Sequence, residues 1–224
     1  MIVVIQCAAK KRSSAGFLKT KDGRPVHFVG DPAAAPGSGS MAYARPDDMS
    51  DFGVSWRDVL LDYNRNPGNN PLGLCRASDL YSNPIYRRIV DRIGEEKTYI
   101  LSAGWGLINA SFLTPNYDIT FSVLDAANRY KRRRKIDVYL DERALPASSE
   151  EPVFFFGGKE YVPLFCKLTS EVGVKRTVFY NSEVEPVAPG CSIERFVTTT
   201  RTNWQNECAS AFFDGKIRSV AAAS

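Results

Sequence analysis

Four short apolar runs constrain the fold of this 224-residue chain more than any other feature of its sequence. They are "IVVI" at residues 2–5, "YIL" at 99–101, "VFFF" at 153–156 and "TVFY" at 177–180. Runs this short, bounded by turn residues, are typical of strands that are covered on both faces. Segments with helix signals lie between them. The pattern therefore predicts an α/β fold with a central mixed or mostly parallel sheet flanked by helices.

Weaker signals complete the predicted elements. A second short strand is expected at "VHFVG", residues 26–30, and an edge strand at "KIDVYLDE", residues 135–142. Capping residues and apolar faces predict the helices. The predicted helices span residues 55–66, 77–96, 120–135, 159–170 and 202–216.

The composition indicates one compact domain over residues 1–224, with a long irregular insertion at about 30–50 that is rich in Gly, Pro, Ala and Ser. No two of the five cysteines have CxxC spacing, so we expect them to be reduced. No secretion signal or membrane-length apolar run is visible, which predicts a cytoplasmic protein with no membrane partner. No obligate protein partner is predicted either.

The chain contains a single histidine, His27, and alternation in its strand places it opposite Val26 and Phe28. We interpret it as a partly exposed strand residue. One histidine makes a His-based metal site or a Ser-His-Asp triad a poor hypothesis. Acid–base chemistry would then fall to carboxylates, tyrosines or a lysine, and we predict no metal and no cofactor.

Ligands of α/β sheets bind beyond the carboxyl ends of the strands, so residues that follow predicted strands are candidates. Three groups qualify, around Gln6, around Ser102 and around Gly158. Aromatic faces there could stack on a base or sugar, and amide side chains could read polar edges. The predicted base and sugar pocket consists of Gln6, Cys7, Tyr81, Ser102, Trp105, Asn109 and Asn116.

The segment "PNYD" contains the sharpest candidate, Asp118, in a loop after the strand at 99–101. A carboxylate beside aromatic surface is partly desolvated, which strengthens its effect on a developing positive charge. We therefore name Asp118 and Tyr117 as candidate catalytic residues. The alternative is that Asp118 caps a helix that starts near Thr120, which aspartate often does.

A basic run, "RYKRRRK", places six basic residues in the seven positions 129–135. Such blocks commonly contact nucleic acid, and arginine suits bidentate contacts with phosphate. The alternative is a solvated, solubilising face. The predicted DNA-phosphate contacts are Lys10, Lys11, Arg87, Arg88, Arg132, Arg133 and Arg134.

Four motifs together resemble a bacterial and phage family of unknown-function domains. They are "CAAKK" from residue 7, "ASDLYSNPIYRR" from 77, "YILSAGWGLI" from 99 and "PNYDITFS" from 115, and they cover roughly residues 1–125. That family is distantly similar to the DNA-binding peroxide-stress protein YaaA and to uracil-DNA-glycosylase-like domains. The resemblance implies a uracil-DNA-glycosylase-like fold. The pocket candidates that it implies are Cys7, Lys10, Asp79, Tyr81, Ser102, Gly106, Tyr117 and Asp118.

The chain departs from this family at several positions. The family has a lysine where this chain has Gly104, and Asn116 stands between Pro115 and Tyr117. The segment 13–76 is also longer than is usual in the family. Either a site remodelled for a bulkier base or simple divergence would account for these departures.

The resemblance and the basic run together lead to the hypothesis of a DNA glycosylase that excises a modified base, for example from phage DNA, and leaves an abasic site. The target base would have to leave the stack and enter a pocket. One alternative is a non-enzymatic, YaaA-like DNA-binding protein. Another is an N-ribosyl hydrolase or transferase that acts on a small nucleoside or nucleotide.

Overall fold

The computed structural model of the chain describes residues 1–37, 39–122 and 125–217. It is an α/β structure with a large, mostly parallel sheet flanked by helices. None of the helices in these residues is long and apolar enough to cross a membrane. The strands are β1 (Ile2–Gln6), β2 (Val26–Val29), β3 (Ala42–Ala44), β4 (Cys75–Arg76), β5 (Thr98–Ser102), β6 (Gly106–Asn109), β7 (Leu113–Thr114), β8 (Tyr117–Asp118), β9 (Glu142–Arg143), β10 (Val153–Phe156), β11 (Arg176–Tyr180) and β12 (Ser192–Arg195).

In the part of the chain that the structure describes, five α-helices and two 3-10 helices accompany these strands. The first α-helix starts where Ser55 accepts a hydrogen bond from the backbone N–H of Asp58, as its sequence predicted. The helices are α1 (Trp56–Arg65), α2 (Ala77–Leu80), α3 (Ile85–Ile93), α4 (Val162–Leu168) and α5 (Trp204–Phe213), and the 3-10 helices span Pro32–Ala34 and Ala126–Lys131.

The large sheet has seven strands in the order β12-β11-β10-β1-β5-β6-β9. All neighbouring pairs are parallel except β5 and β6, which form an antiparallel hairpin. The five strand predictions at residues 2–5, 26–30, 99–101, 153–156 and 177–180 are confirmed. The first and third of these are also adjacent, with Ile5 beside Ile100, and both strands are buried.

The order of the strands creates a switch point beside β1. The strand that follows β1 in the large sheet, β5, lies on one side of it, and β10 lies on the other. At such a point the connections leave in opposite directions, so a crevice opens beyond the carboxyl ends of the strands. The side chain of Gln6 spans this crevice, because its Oε1 accepts a hydrogen bond of 2.6 Å from the backbone N–H of Gly158.

A second, three-stranded parallel sheet lies outside the large one, in the order β3-β2-β8. Its register pairs Phe28 with Tyr117 and Val29 with Asp118. His27 precedes Val29 by two residues, so it shares the face of the small sheet that carries Asp118. This two-residue pairing brings the only histidine of the chain to the candidate carboxylate.

Two helix predictions are corrected by the structure. The segment 77–96 contains two helices, α2 and α3, because Tyr81 and the following "SNP" interrupt it. Among the described residues of segment 120–135, the only helix is the 3-10 helix Ala126–Lys131, which Asp125 caps by accepting from the backbone N–H of Asn128. After it, the backbone of Arg133 donates to Thr120 and the chain runs extended.

The prediction of an edge strand at residues 135–142 is wrong over most of its length, because only Glu142–Arg143 pairs, with β6. The alternation that suggested a strand is nevertheless present. Ile136, Val138 and Leu140 are exposed, whereas Tyr139 is buried. Two- and three-residue strands such as β4, β7 and β8 were not predicted, since pairs this short have no periodic signal.

Arg133 was predicted to bind phosphate, and the structure contradicts this. Its side chain is only 5% exposed and forms two hydrogen bonds of 2.7 Å with Asp141, whose side chain is 1% exposed. The guanidinium also donates to the carbonyl of Ala103 and lies 3.8 Å from the centre of the Tyr139 ring. Removing this arginine from water is tolerable because every one of these contacts compensates its charge.

We therefore expect Arg133→Ala to lower the free energy of unfolding by about 3 kcal/mol or more, because the carboxylate of Asp141 would stay buried without its partner. Arg24→Ala is the matched control. The side chains of Arg24 and of its partner Asp22 are 49% and 59% exposed, so the expected loss is below about 1 kcal/mol. Urea unfolding measures both, and equal losses would contradict the structural role of Arg133.

Candidate active site

Asp118 lies at the centre of a charged cluster beside the carboxyl edge of the large sheet. Lys131 Nζ is 3.1 Å and His27 Nε2 is 3.4 Å from Asp118 Oδ2, and Lys11 Nζ is 3.8 Å from Oδ1. The Asp118 side chain is 31% exposed, so solvent or a ligand can reach it. We call these four residues the Asp118 cluster.

The cluster keeps the carboxyl group of Asp118 ionised. Partial burial alone would raise its pKa, but the hydrogen bond with His27 and the charges of Lys11 and Lys131 outweigh burial and lower the pKa to about 2. Burial lowers the pKa of Lys11, and the nearby Asp118 partly offsets this effect. The pKa of Lys131 is raised, because Asp118 outweighs the effect of its partial burial.

Lys11 is the most enclosed of the three cations, with a side chain that is only 6% exposed. Its ammonium lies 4.3 Å from the centre of the Tyr117 ring, within the range of a cation–π contact. A backbone bridge between Lys11 and Tyr81 holds the segment that follows β1 in place. The basic turn predicted after the first strand thus sends one of its two lysines inward, whereas Lys10 is exposed.

A chain of buried hydroxyl groups fixes the position of Tyr117. Ser102 Oγ accepts from the backbone N–H groups of Gly104 and Trp105 and donates to Tyr117 OH over 2.8 Å. Tyr117 OH is also 2.8 Å from Tyr81 OH. Either phenol can donate in this second bond, so the three hydroxyl groups form one connected chain. Burial raises the pKa of both tyrosines well above the usual value, so both remain neutral phenols.

Cys7 connects this hydroxyl chain to the crevice beside β1. Its thiol is buried, and its Sγ lies 3.3 Å from Tyr161 OH. The thiol is close enough to influence the pKa values of both Tyr117 and Lys11. Tyr161 in turn lines the crevice, so Cys7 is near both the crevice and the residues around Asp118.

The crevice is a cleft of about 260 Å³ beyond the carboxyl ends of β1, β10 and β11. Aromatic, amide and cationic side chains all face it. Such a mixture can stack on a flat ring, hydrogen-bond its edges and neutralise an anionic group. The residues that line it are Gln6, Ser122, Gly158, Lys159, Glu160, Tyr161, Tyr180, Asn181, Ser182, Arg201 and Trp204.

The structure therefore brings together Gln6, Cys7, Tyr81, Ser102 and Tyr117 of the predicted pocket around Asp118 and the cleft. It buries Trp105. That side chain is 1% exposed, and its ring centre is 5.0 Å from that of Phe28 and 6.4 Å from that of Tyr117, so it has no free face for a base. Gly104 lets Tyr117 and Ile119 pack close to the backbone, because a Cβ there would lie 3.0 Å from Ile119 Cδ1.

Asn109 lies apart from the Asp118 cluster, whereas Asn116 is only two residues before Asp118. Asn109 is at the end of β6, beside Tyr99 near the start of β5, which is the opposite edge of the sheet. Its amide donates to the carbonyls of Glu95 and Thr98, so it has a structural partner there. The backbone N–H of Asn116 donates to Gly16 in the segment that leads into β8.

Of the predicted phosphate contacts, the two on α3 have carboxylate partners. Arg87 pairs with Asp79 over 2.7 Å, and Arg88 pairs with Asp214. Gly106, which the resemblance placed in the pocket, forms the β5–β6 turn with φ of +88°, a conformation that favours glycine.

Sequence reasoning missed two members of the Asp118 cluster. His27 was interpreted as a partly exposed strand residue, which it is, but its Nε2 also contacts Asp118. Lys131 was only one residue of a basic run. The expectation that Asp118 caps a helix near Thr120 is wrong, because no helix begins there in the described residues and the carboxylate contacts cations instead.

No group of three or more His, Cys, Asp or Glu side chains in the described ranges has the arrangement of a metal site. The donors of the Asp118 cluster are mainly nitrogen cations, which would repel a metal ion. The chemistry available at the cluster is thus that of one ionised carboxylate, two ammonium groups and an imidazole.

The fold and the cluster define an α/β protein with a charged, partly exposed site beside the carboxyl ends of its strands. Residues 72–180 match the model of a family of unknown function, DUF6884. This match includes Tyr81, Ser102 and Asp118 but begins after Cys7 and Lys11, and it provides no link to YaaA or to glycosylases. Searches of curated proteins and of solved structures find no match to the chain.

The ion pairs of Asp118 predict a specific dependence of stability on pH. Its folded-state pKa of about 2 lies below the ordinary aspartate pKa of 3.8, so its contribution to stability is present above pH 4 and disappears as the pH falls through 2. We expect that contribution to be about 1 to 2 kcal/mol, discounted for partial exposure.

Urea unfolding of wild type and Asp118→Asn between pH 7 and pH 2 measures this contribution. The variant should be less stable at pH 7, and the difference should vanish at the acid end. Asp91→Asn is the matched control, because Asp91 is exposed on α3 and forms no ion pair within the described residues. A difference between wild type and Asp118→Asn that did not change with pH would contradict the ion pairs.

Proposed function

We propose that this protein is a hydrolase that cleaves the N-glycosidic bond of a modified base in DNA and leaves an abasic site. The observation that carries the proposal is the Asp118 cluster, in which an ionised, solvent-accessible carboxylate has three nitrogen groups within 4 Å. Cleaving an N-glycosidic bond creates opposite charges on two fragments, and the cluster offers groups of both signs.

In the proposed reaction, the bond between C1′ of the sugar and the base nitrogen breaks, and both electrons leave with the base. The sugar becomes an oxocarbenium-like cation, which the carboxylate of Asp118 stabilises while it orients the attacking water. The water oxygen bonds to C1′, and one water proton ends on the released base. N–H groups of Lys131 or His27 can donate to the base while its negative charge develops.

The cleft beside β1 is the proposed pocket for a base that has left the stack. Tyr180 and Trp204 provide aromatic surface, and Gln6 and Asn181 provide amide groups that can hydrogen-bond a base edge. Tyr161 lies between this cleft and Cys7. A flipped base in the cleft would therefore be next to the hydroxyl chain that positions Tyr117.

A second candidate is an N-ribosyl hydrolase or transferase that acts on a small nucleoside or nucleotide. The burial of Arg133 and the carboxylate partners of Arg87, Arg88 and Arg134 favour it, because they remove several of the predicted contacts with a DNA backbone. A protein that binds DNA without chemistry, as YaaA-like behaviour would imply, is the remaining outcome of the experiment below.

We expect Asp118→Asn to reduce the rate of base release by roughly 100-fold to 1000-fold, because the side chain keeps its shape but loses the charge that stabilises the sugar cation. The measurement is single-turnover release of base from modified phage DNA, with unmodified DNA beside it, scored as alkali-labile abasic sites. DNA affinity should change little, since the arginine side chains remain.

Two further variants make the result specific. Asp118→Glu retains the charge at a shifted position and should release base faster than Asp118→Asn. Asp214→Asn breaks the ion pair with Arg88 at the end of α5 and should release base like wild type. Assays well below the melting temperature of each variant separate rate from stability. Near wild-type release by folded Asp118→Asn would refute the role of Asp118, and binding without release from any DNA would favour the non-enzymatic alternative.

A further inference from the structure

Four arginines surround a small pocket next to the Asp118 cluster. The pocket has a volume of about 180 Å³ and is also lined by Gly30, Asp31 and Asp137. We call it the arginine pocket. Its arginines are Arg45, Arg129, Arg132 and Arg134.

Most of the positive charge in the arginine pocket lacks a carboxylate partner. Within the described residues, Arg134 pairs with Asp137 over 2.9 Å, but Arg45, Arg129 and Arg132 form no ion pair. Arg45 donates through Nε to the carbonyl of Gly30. The Nε of Arg132 is buried without a hydrogen-bond partner. Bringing like charges together and leaving a buried donor unsatisfied both cost free energy, and a bound oxyanion would offset both.

The arginine pocket is attached to the same short segments that build the Asp118 cluster. Arg132 directly follows Lys131, whose ammonium contacts Asp118. Gly30 directly follows Val29, which pairs with Asp118 in the small sheet. The contact between the two segments is close, since a Cβ on Gly30 would lie 2.3 Å from the carbonyl oxygen of Arg132. If one part of a ligand occupied the arginine pocket, the adjacent part of the same ligand would therefore lie near the carboxylate of Asp118.

We propose that the arginine pocket binds a backbone phosphate of the DNA strand whose nucleoside Asp118 acts on. This inference rests on the proposed function and adds the part of the substrate that the cluster does not contact. Guanidinium groups match the geometry of phosphate oxygens and donate two hydrogen bonds each. Three guanidinium groups without carboxylate partners suit an anion that remains ionised at every physiological pH, as a phosphodiester does.

The experiment compares binding of a fluorescein-labelled single-stranded oligodeoxynucleotide by wild type and by an Arg129→Gln/Arg132→Gln double variant. Fluorescence anisotropy at several salt concentrations gives both the affinity and its salt slope. We expect the double variant to bind about tenfold more weakly at low salt. Its slope of log affinity against log salt should be shallower by about 1.4, which is 0.7 for each lost contact with a single strand.

Arg92→Gln is the matched control. Arg92 is an exposed arginine in the last turn of α3, the helix that leads toward the amino end of β5 and hence away from the pocket. The Arg92→Gln variant loses one positive charge away from the pocket, so its salt slope should equal that of wild type. Arg132→Lys retains the positive charge but loses the planar guanidinium group that can donate two hydrogen bonds to one phosphate. Its salt slope should therefore be close to that of wild type, whereas its affinity should remain lower. Arg129→Gln alone changes an exposed side chain and keeps the test valid if Arg132→Gln fails to fold.

Three outcomes are distinguishable. Equal binding and equal salt slopes for the double variant and Arg92→Gln would refute phosphate binding by the arginine pocket. If the double variant lost binding to a deoxynucleoside monophosphate but bound the oligonucleotide like wild type, the pocket would be a site for a free nucleotide. That result would refute the proposal that it binds a DNA strand. The anisotropy assay measures binding and does not depend on base release. A shallower salt slope for the double variant, together with no base release from any DNA, would therefore support the phosphate site and refute the proposed hydrolase activity.

Discussion

The enclosed ammonium group of Lys11 is the constraint on which the rest of the site depends. A lysine with a side chain that is 6% exposed needs compensation for its lost hydration. The carbonyl of Ala9, the carboxylate of Asp118 and the ring face of Tyr117 provide it. The last two groups belong to the two-residue strand β8. The hydroxyl chain from Ser102 holds Tyr117, and pairing with β2 holds Asp118. Packing, charge and hydrogen bonding together therefore fix the position of the Asp118 carboxylate.

Much of the large sheet was predictable, but most of the site was not. Strands such as β1 and β10 are buried on both faces, so they appear in the sequence as uninterrupted apolar runs. The pairing of β2 with β8 involves two residues, and nothing in the sequence indicates that His27 would face Asp118. Nor does a run of basic residues reveal that Arg133 points inward to Asp141 while its neighbours Arg132 and Arg134 line a surface pocket. Local patterns report burial, whereas these contacts depend on tertiary structure.

The charges around Asp118 divide into parts that would serve one substrate. The cleft beside β1 offers aromatic and amide surfaces, and the Asp118 cluster offers one negative charge among hydrogen-bond donors. The arginine pocket offers three guanidinium groups that form no ion pair within the described residues. A nucleotide unit in a strand has a base, a sugar that becomes cationic on cleavage, and a phosphate. The family matched over residues 72–180 has no known function, so this division of roles rests on the contacts themselves.

The central claim is that water replaces a base at C1′ of a DNA strand. Mass spectrometry of modified phage DNA, incubated with the wild-type protein in water enriched in ¹⁸O, tests it most directly. The account predicts free modified base in solution and an abasic sugar that contains one ¹⁸O atom when it is analysed before exchange. DNA that keeps every base, or base released without incorporation of solvent oxygen into the sugar, would contradict it.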